Sequence, residues 1–311
     1  MCSKACGKPS PWDWQRPIYR PWFASATQPA KPISQRSDAM PMQLAANLSL
    51  LFEPATAWPE RCERAAAAGF RHAEILFPYD RAATYYDAAL RQAGLQAILI
   101  NTPVDDHFGL AAVDGAENQF KRDLQRAMAT AQALGATAIH VMAGQASPQH
   151  RLSESVLLAN LEWALRQVEG TGLVLMLEAL NRHDIPHYLY HDPHEVHRIV
   201  QSFAHPQLRQ QFDIYHSLRE QLPLLATLQA CRTAIGHVQI AHGPLRSEPK
   251  LQEDGIAQAL HALVATGYDG FLGCEYRPAH SFEAGLAWLN PLQQDGTVTP
   301  LAPHPSLSGE H

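Results

Sequence analysis

The chain reads as an α/β protein, a single (β/α)8 TIM barrel with an irregular N-terminal arm. Three observations predict this. Short apolar runs alternate with longer amphipathic or alanine-rich segments, eight of each, as parallel βα units require. The first run is followed by Ser49, Leu50, Leu51 and Phe52, not by the Gly-rich phosphate loop that marks an open doubly wound sheet. Four successive runs late in the chain end in an oxygen-bearing side chain, and only a barrel brings such ends to one mouth.

The elements follow in order. Residues 1–41 are rich in proline (Pro9, Pro11, Pro17, Pro21, Pro29, Pro32), carry more basic than acidic groups and lack helical or strand periodicity. They are expected to be disordered, or loosely docked through Trp12, Trp14, Tyr19, Trp22 and Phe23. Met40 and Met42 are read as candidate starts of translation. The barrel domain is expected over residues 42–290, with strands at 44–48, 72–75, 96–100, 138–142, 174–178, 209–213, 236–240 and 271–275. Helices are expected at 58–68, 82–93 and 118–134, closed by Gly69, Gly94 and Gly135. Glycine just past a helix end takes the left-handed cap conformation at little cost. Further helices fit 153–168, 193–201, 222–228, 256–266 and 281–289. Residues 291–311 read as a polar tail, expected to be disordered from Gly296 onward.

Composition narrows the function. Hydrophobic residues make up 46% of the 311, enough for a sizeable core, and charged residues only 17%, below the ~25% usual for soluble proteins. A net charge of −6 argues against nucleic acid as a partner, since phosphate binding needs a basic face. No apolar run approaches the ~20 residues that span a bilayer, and with no apolar stretch after the early lysines a secretory signal is not expected. Five scattered cysteines (Cys2, Cys6, Cys62, Cys231, Cys274) suit a reducing cytoplasm better than a disulfide framework. A homo-oligomer is compatible with all of this.

The chemistry-bearing pattern is the set Glu178, Asp213, Gln239 and Glu275, one at the end of each of the last four strands. A carboxylate in a strand of Val, Leu, Met or Phe is costly to bury unpaired. A lone acid at a strand end is usually a helix cap or an ion-pair partner. Four in succession at one barrel mouth call for a divalent cation, and an all-oxygen set suits a hard metal such as Mg2+ or Mn2+.

A family resemblance covers about residues 42–290. It is carried by Ala45-Ala46-Asn47-Leu48-Ser49-Leu50-Leu51-Phe52, Glu74-Ile75-Leu76-Phe77-Pro78-Tyr79-Asp80, Asn101-Thr102-Pro103 and His140-Val141-Met142-Ala143-Gly144. It continues in Glu178-Ala179-Leu180-Asn181, Asp213-Ile214-Tyr215-His216, Gly236-His237-Val238-Gln239-Ile240-Ala241 and Gly273-Cys274-Glu275-Tyr276. On these motifs the chain resembles the hydroxypyruvate isomerase family of xylose-isomerase-like barrels. The resemblance implies that Glu178, Asp213, Gln239 and Glu275 hold the metal and that Glu178 and Glu275 exchange protons with substrate. It further implies that Asp184, His216 and Arg246 bind substrate, Arg246 by holding its carboxylate. The implied reaction isomerises a small hydroxy-carbonyl acid through an enediolate: hydroxypyruvate and tartronate semialdehyde, or a four-carbon 2-oxo acid. Physical chemistry agrees, because two carboxylates can move the proton while a cation stabilises the developing oxyanion. The same residues would serve a ketose 3-epimerase, a polyol dehydratase, or a non-catalytic metal-binding barrel.

The match departs from the family pattern after the seventh strand. His242 stands where the family has Asp, Ser247 where it has His, and the Asn-bearing stretch is replaced, with Glu253 holding its acidic position. Arg277-Pro278 replaces Lys-Pro and Ala179-Leu180 replaces Pro-Ile. The expected metal set is intact and the substrate shell altered. His140 either points into the site or is a core histidine bonded to backbone, and both readings stand. His183, His187, His191, His194 and His197 straddle a loop and a helix start and are read as solvated.

Overall fold

The computed structural model describes residues 40–104 and 107–301. The expectations for residues 1–39, including the docking aromatics, and for the end of the tail lie outside the described residues.

Eight parallel strands close into a barrel: β1 (Gln43–Asn47), β2 (His72–Ile75), β3 (Gln96–Asn101), β4 (Ala138–His140), β5 (Val174–Glu178), β6 (Leu208–Asp213), β7 (Ile235–Ile240) and β8 (Phe271–Cys274). β1 pairs with β8 through Ala45 and Gly273, which completes the closure. The outer ring holds α1 (Trp58–Ala67), α2 (Ala83–Ala93), α3 (Glu117–Leu134), α4 (Glu154–Val168), α5 (Pro193–Phe203), α6 (Ile214–Arg219), α7 (Leu224–Cys231), α8 (Ile256–Ala265) and α9 (Leu289–Gln294). Local chemistry sets their limits. Gly94 and Gly135 end α2 and α3 in the left-handed region, and Ser153 caps α4 through Val156 N. At α5, Asp192 and Glu195 make a reciprocal capping box.

Strand residues alternate between the helix layer and the barrel interior. Leu44, Ala46, Leu175, Leu177, Phe212, Val238 and Leu272 pack outward in the large core. Ala45, Ala138, Val174, Met176 and Phe271 meet inside the barrel. Continuing that count by two along β5, β6 and β8 carries Glu178, Asp213 and Glu275 inward at the C-terminal mouth. Among the described residues no helix is long and apolar enough to cross a membrane, and Cys62, Cys231 and Cys274 are free and buried.

Three expectations need correction. A short helix, α6, follows β6 directly, because Asp213 caps it by accepting from Tyr215 N at 2.8 Å. The helix expected over 281–289 is a single 3-10 turn at Ala284–Leu286, followed by α9. Pro291 falls in the first turn of α9, where a missing N–H costs nothing. The tail is not disordered over 296–301. Met42 N donates to Thr297 O at 3.0 Å, Thr299 N returns to Met42 O at 2.8 Å, and Leu292 and Val298 are buried in the core. These two apolar anchors are masked by the polar composition around them.

Candidate active site

Each predicted ligand lies at the barrel mouth and is buried: Glu178, Asp213, Gln239 and Glu275 are at most 5% exposed. Glu178 Oε2 accepts from Gln211 Nε2 at 2.6 Å, while its Oε1 has no hydrogen-bond partner. The same Gln211 amide donates to Gln239 Oε1 at 2.7 Å, so one side chain spaces two predicted ligands. Gln239 Nε2 donates to Glu74 Oε2 at 2.9 Å, which turns the Gln239 carbonyl oxygen toward Gln211 and Glu178.

Arg246 is not held clear for a substrate. Its Nη2 bonds Asp213 Oδ2 at 2.9 Å and Glu275 Oε2 at 2.5 Å, and its guanidinium stacks 4.7 Å over the Tyr215 ring. Glu178, Asp213 and His216 bring ligand atoms within 4.8 Å of one another. His216 is nevertheless better suited as a donor than as a ligand. Its Nδ1 accepts from Asn181 N at 2.9 Å, so the neutral ring carries its proton on Nε2. That Nε2 faces Asp213 Oδ2 at 3.5 Å and Glu178 Oε1 at 3.8 Å.

Electrostatics follow from the crowding. Burial, and then the charges of Glu275 and Asp213, raise the proton affinity of Glu178 well above the carboxylate norm. Burial pushes Glu275 up to about 8 in spite of Arg246. Asp213 is raised by burial, with Arg246 and the Tyr215 amide opposing. Burial alone would lower Arg246, but Glu275, Asp213 and Glu178 outweigh it and hold the guanidinium charged. Burial and Arg246 together keep His216 neutral.

Asp184 reaches the rim of this set. Its Oδ2 accepts from Tyr215 Oη at 2.6 Å and Asn181 Nδ2 at 2.9 Å, bonds that outweigh partial burial and lower its proton affinity. His140 lies beside Glu178, and neither of its ring nitrogens is hydrogen-bonded to backbone. It is 1% exposed, with Nδ1 3.2 Å from Glu178 Oε2, and burial pushes it down to about 3, so it is neutral. Of the five histidines after β5, His183, His187 and His194 are exposed, and no metal-ligating group among the described residues includes any of the five.

Residue-level reasoning missed Glu74, Gln211 and Tyr215 as parts of the site. Glu74 lies in the barrel interior, where His237 Nε2 at 2.6 Å and the amides of Asn47 and Gln239, each at 2.9 Å, satisfy its oxygens. A Cβ on Gly273 would stand 2.0 Å from Glu74 Oε1, so only glycine leaves room for this carboxylate. The signal was present in part, since Glu74, Tyr215 and Gly273 all fall within the quoted motifs.

The chain is a member of the xylose isomerase-like TIM barrel family, whose profile matches residues 62–292. Within that family it belongs with the hydroxypyruvate isomerases and is an isomerase. It is 36% identical over 261 residues to the putative hydroxypyruvate isomerase of Danio rerio, covering 80% of this chain and 95% of that protein. It is 35% identical over 255 residues to the 2-oxo-tetronate isomerase of Cupriavidus necator, covering 80% of this chain and 98% of that protein. A solved structure described as a family 2 AP endonuclease from Brucella melitensis matches with a TM-score of 0.73 at 32% identity, covering 81% of this chain and 99% of that one.

Proposed function

We propose that the protein interconverts a small 2-oxo acid and its hydroxy-aldehyde isomer, hydroxypyruvate and tartronate semialdehyde or a four-carbon 2-oxo acid. The observation that carries this reading is the convergence of two buried carboxyls, Glu178 and Glu275, at one mouth beside Asp213, where burial raises the proton affinity of both. Carboxyls tuned in this way can give and take protons near neutral pH. One takes the proton from the hydroxyl-bearing carbon, leaving an enediolate. The hydroxyl proton passes to the neighbouring oxygen, and the other carboxyl returns a proton to the former carbonyl carbon. The net charge of −6 favours this over the endonuclease activity in the Brucella protein's description.

The donor set fits a divalent cation. Three buried carboxylates face one arginine, Glu178 Oε1 is unpartnered, and the Gln239 carbonyl is aimed by Glu74. Glu178, Asp213, Gln239 and Glu275 would hold Mg2+ or Mn2+. Bound there, it would supply Lewis-acid stabilisation of the substrate oxygens. Asn181 keeps the His216 Nε2–H presented to the substrate, and Asp184 takes a distal hydroxyl. Arg246 offers a planar fork suited to a carboxylate. Its Nη1 sits 3.3 Å from His216 Nε2, two donors face to face, and moving the guanidinium onto a substrate relieves that contact.

The test is turnover of hydroxypyruvate and of four-carbon 2-oxo acids after chelation and reloading with Mg2+ or Mn2+, run in heavy water. Metal-dependent interconversion with solvent deuterium at the product carbon is expected. Tight metal binding without turnover of either would overturn the substrate assignment.

A further inference from the structure

Besides the Glu178, Asp213 and His216 group, the described residues bring together one other set of metal-ligating side chains, His242, Glu253 and Asp254. They lie in the segment that departs from the family pattern. His242 follows β7, and the two carboxylates immediately precede α8. His242 is 8% exposed, and neither of its ring nitrogens has a hydrogen-bond partner. Its Nε2 points between Glu253 Oε2 and Asp254 Oδ2, at 3.3 Å from each.

Both distances match the ligand spacing of a small cation. Ligands about 2.0–2.1 Å from a tetrahedral ion stand about 3.3–3.4 Å apart. A neutral imidazole nitrogen with two carboxylate oxygens suits Zn2+ and its neighbours better than Mg2+. As it stands, the buried imidazole meets the two carboxylates at ion-pair distance without a hydrogen bond, and a cation between them would satisfy all three groups. Lys250 is the competing charge, its Nζ 3.3 Å from Glu253, but it is more than half exposed and free to turn outward.

We propose that His242, Glu253 and Asp254 form a second divalent-metal site, of the zinc class, distinct from the Glu178 set. His242 and Ser247 exchange two backbone hydrogen bonds of 2.9 Å, closing the loop that presents Arg246. An ion here ties the exit of β7 to the entry of α8 and clamps the base of that loop.

The experiment is Zn2+ stoichiometry at micromolar Zn2+, by atomic emission on gel-filtered protein. It compares the full chain with His242→Ala and with the double variant Glu178→Gln/Glu275→Gln. His242→Ala is expected to lose one equivalent, and the double variant to keep it. Co2+ in the double variant should give the strong visible absorption of a low-coordinate site, absent when His242→Ala is added. If His242→Ala fails to fold, Glu253→Gln/Asp254→Asn at exposed positions serves in its place. A His242→Ala protein that holds as much Zn2+ as wild type overturns the proposal. So does a double variant that holds none, whatever the catalytic reading's fate.

Discussion

Two buried glutamates in this barrel have opposite surroundings. Glu74 is met by three donors, His237, Asn47 and Gln239, at 2.6–2.9 Å. Glu178 has one amide donor on Oε2, none on Oε1, and the like charges of Asp213 and Glu275 for neighbours. A carboxylate whose lone pairs the protein fills is part of the framework. One left open among like charges is kept for groups that arrive with the reaction. The contrast predicts opposite penalties for the same glutamate-to-glutamine change.

The largest effect falls on turnover. Glu178→Gln or Glu275→Gln should lower kcat about a thousandfold, as loss of a general acid–base group does. For Glu178→Gln the Tm of the metal-free protein should hold or rise, since a buried carboxyl crowded by like charges has gone. Retained activity in steady-state assays would remove both from the chemistry. Glu74→Gln should do the reverse, costing about 3 kcal/mol of stability by unpairing a buried network. In thermal denaturation that appears as a Tm lower by roughly 6–10 °C, and an unchanged Tm would erase the distinction drawn here.

Smaller effects sharpen the same comparison. Arg246→Lys should raise KM about tenfold with less change in kcat, because a point charge replaces a fork. An effect confined to kcat would place Arg246 in the proton transfer instead. Stability of the chelated protein should also depend on pH. Glu275 moves from the ordinary 4.5 to about 8 in the fold, so between those values the folded chain holds a proton that the unfolded chain releases. Unfolding is then favoured as pH rises, and the Tm should fall from pH 5 to pH 8. Glu275→Gln should flatten that slope.

Much of this site was legible in the sequence, because an acid closing a run of Val, Leu, Met or Phe is conspicuous. β2 and β5 have the bounds expected for them, and Glu178, Asp213, Gln239 and Glu275 do share the mouth. Gln211 was hidden because a glutamine in a strand looks ordinary. Only the pairing of Glu178 with Gln211 across β5 and β6 gives it a role. The α6 helix was hidden because Asp213, read as a ligand, is also its cap. Arg246 was placed by resemblance, but its pairing with Asp213 and Glu275 depends on a loop folding back over the mouth, which no local pattern encodes.

The two backbone bonds between Met42 and the Thr297–Thr299 segment reach beyond the resting structure. They join the first strand among the described residues to a segment made some 250 residues later, about ten seconds or more at ordinary synthesis rates. Until β8 and that segment emerge, β1 has an unpaired edge and an uncovered floor. Closure of the barrel at β1 is therefore the last step that synthesis permits.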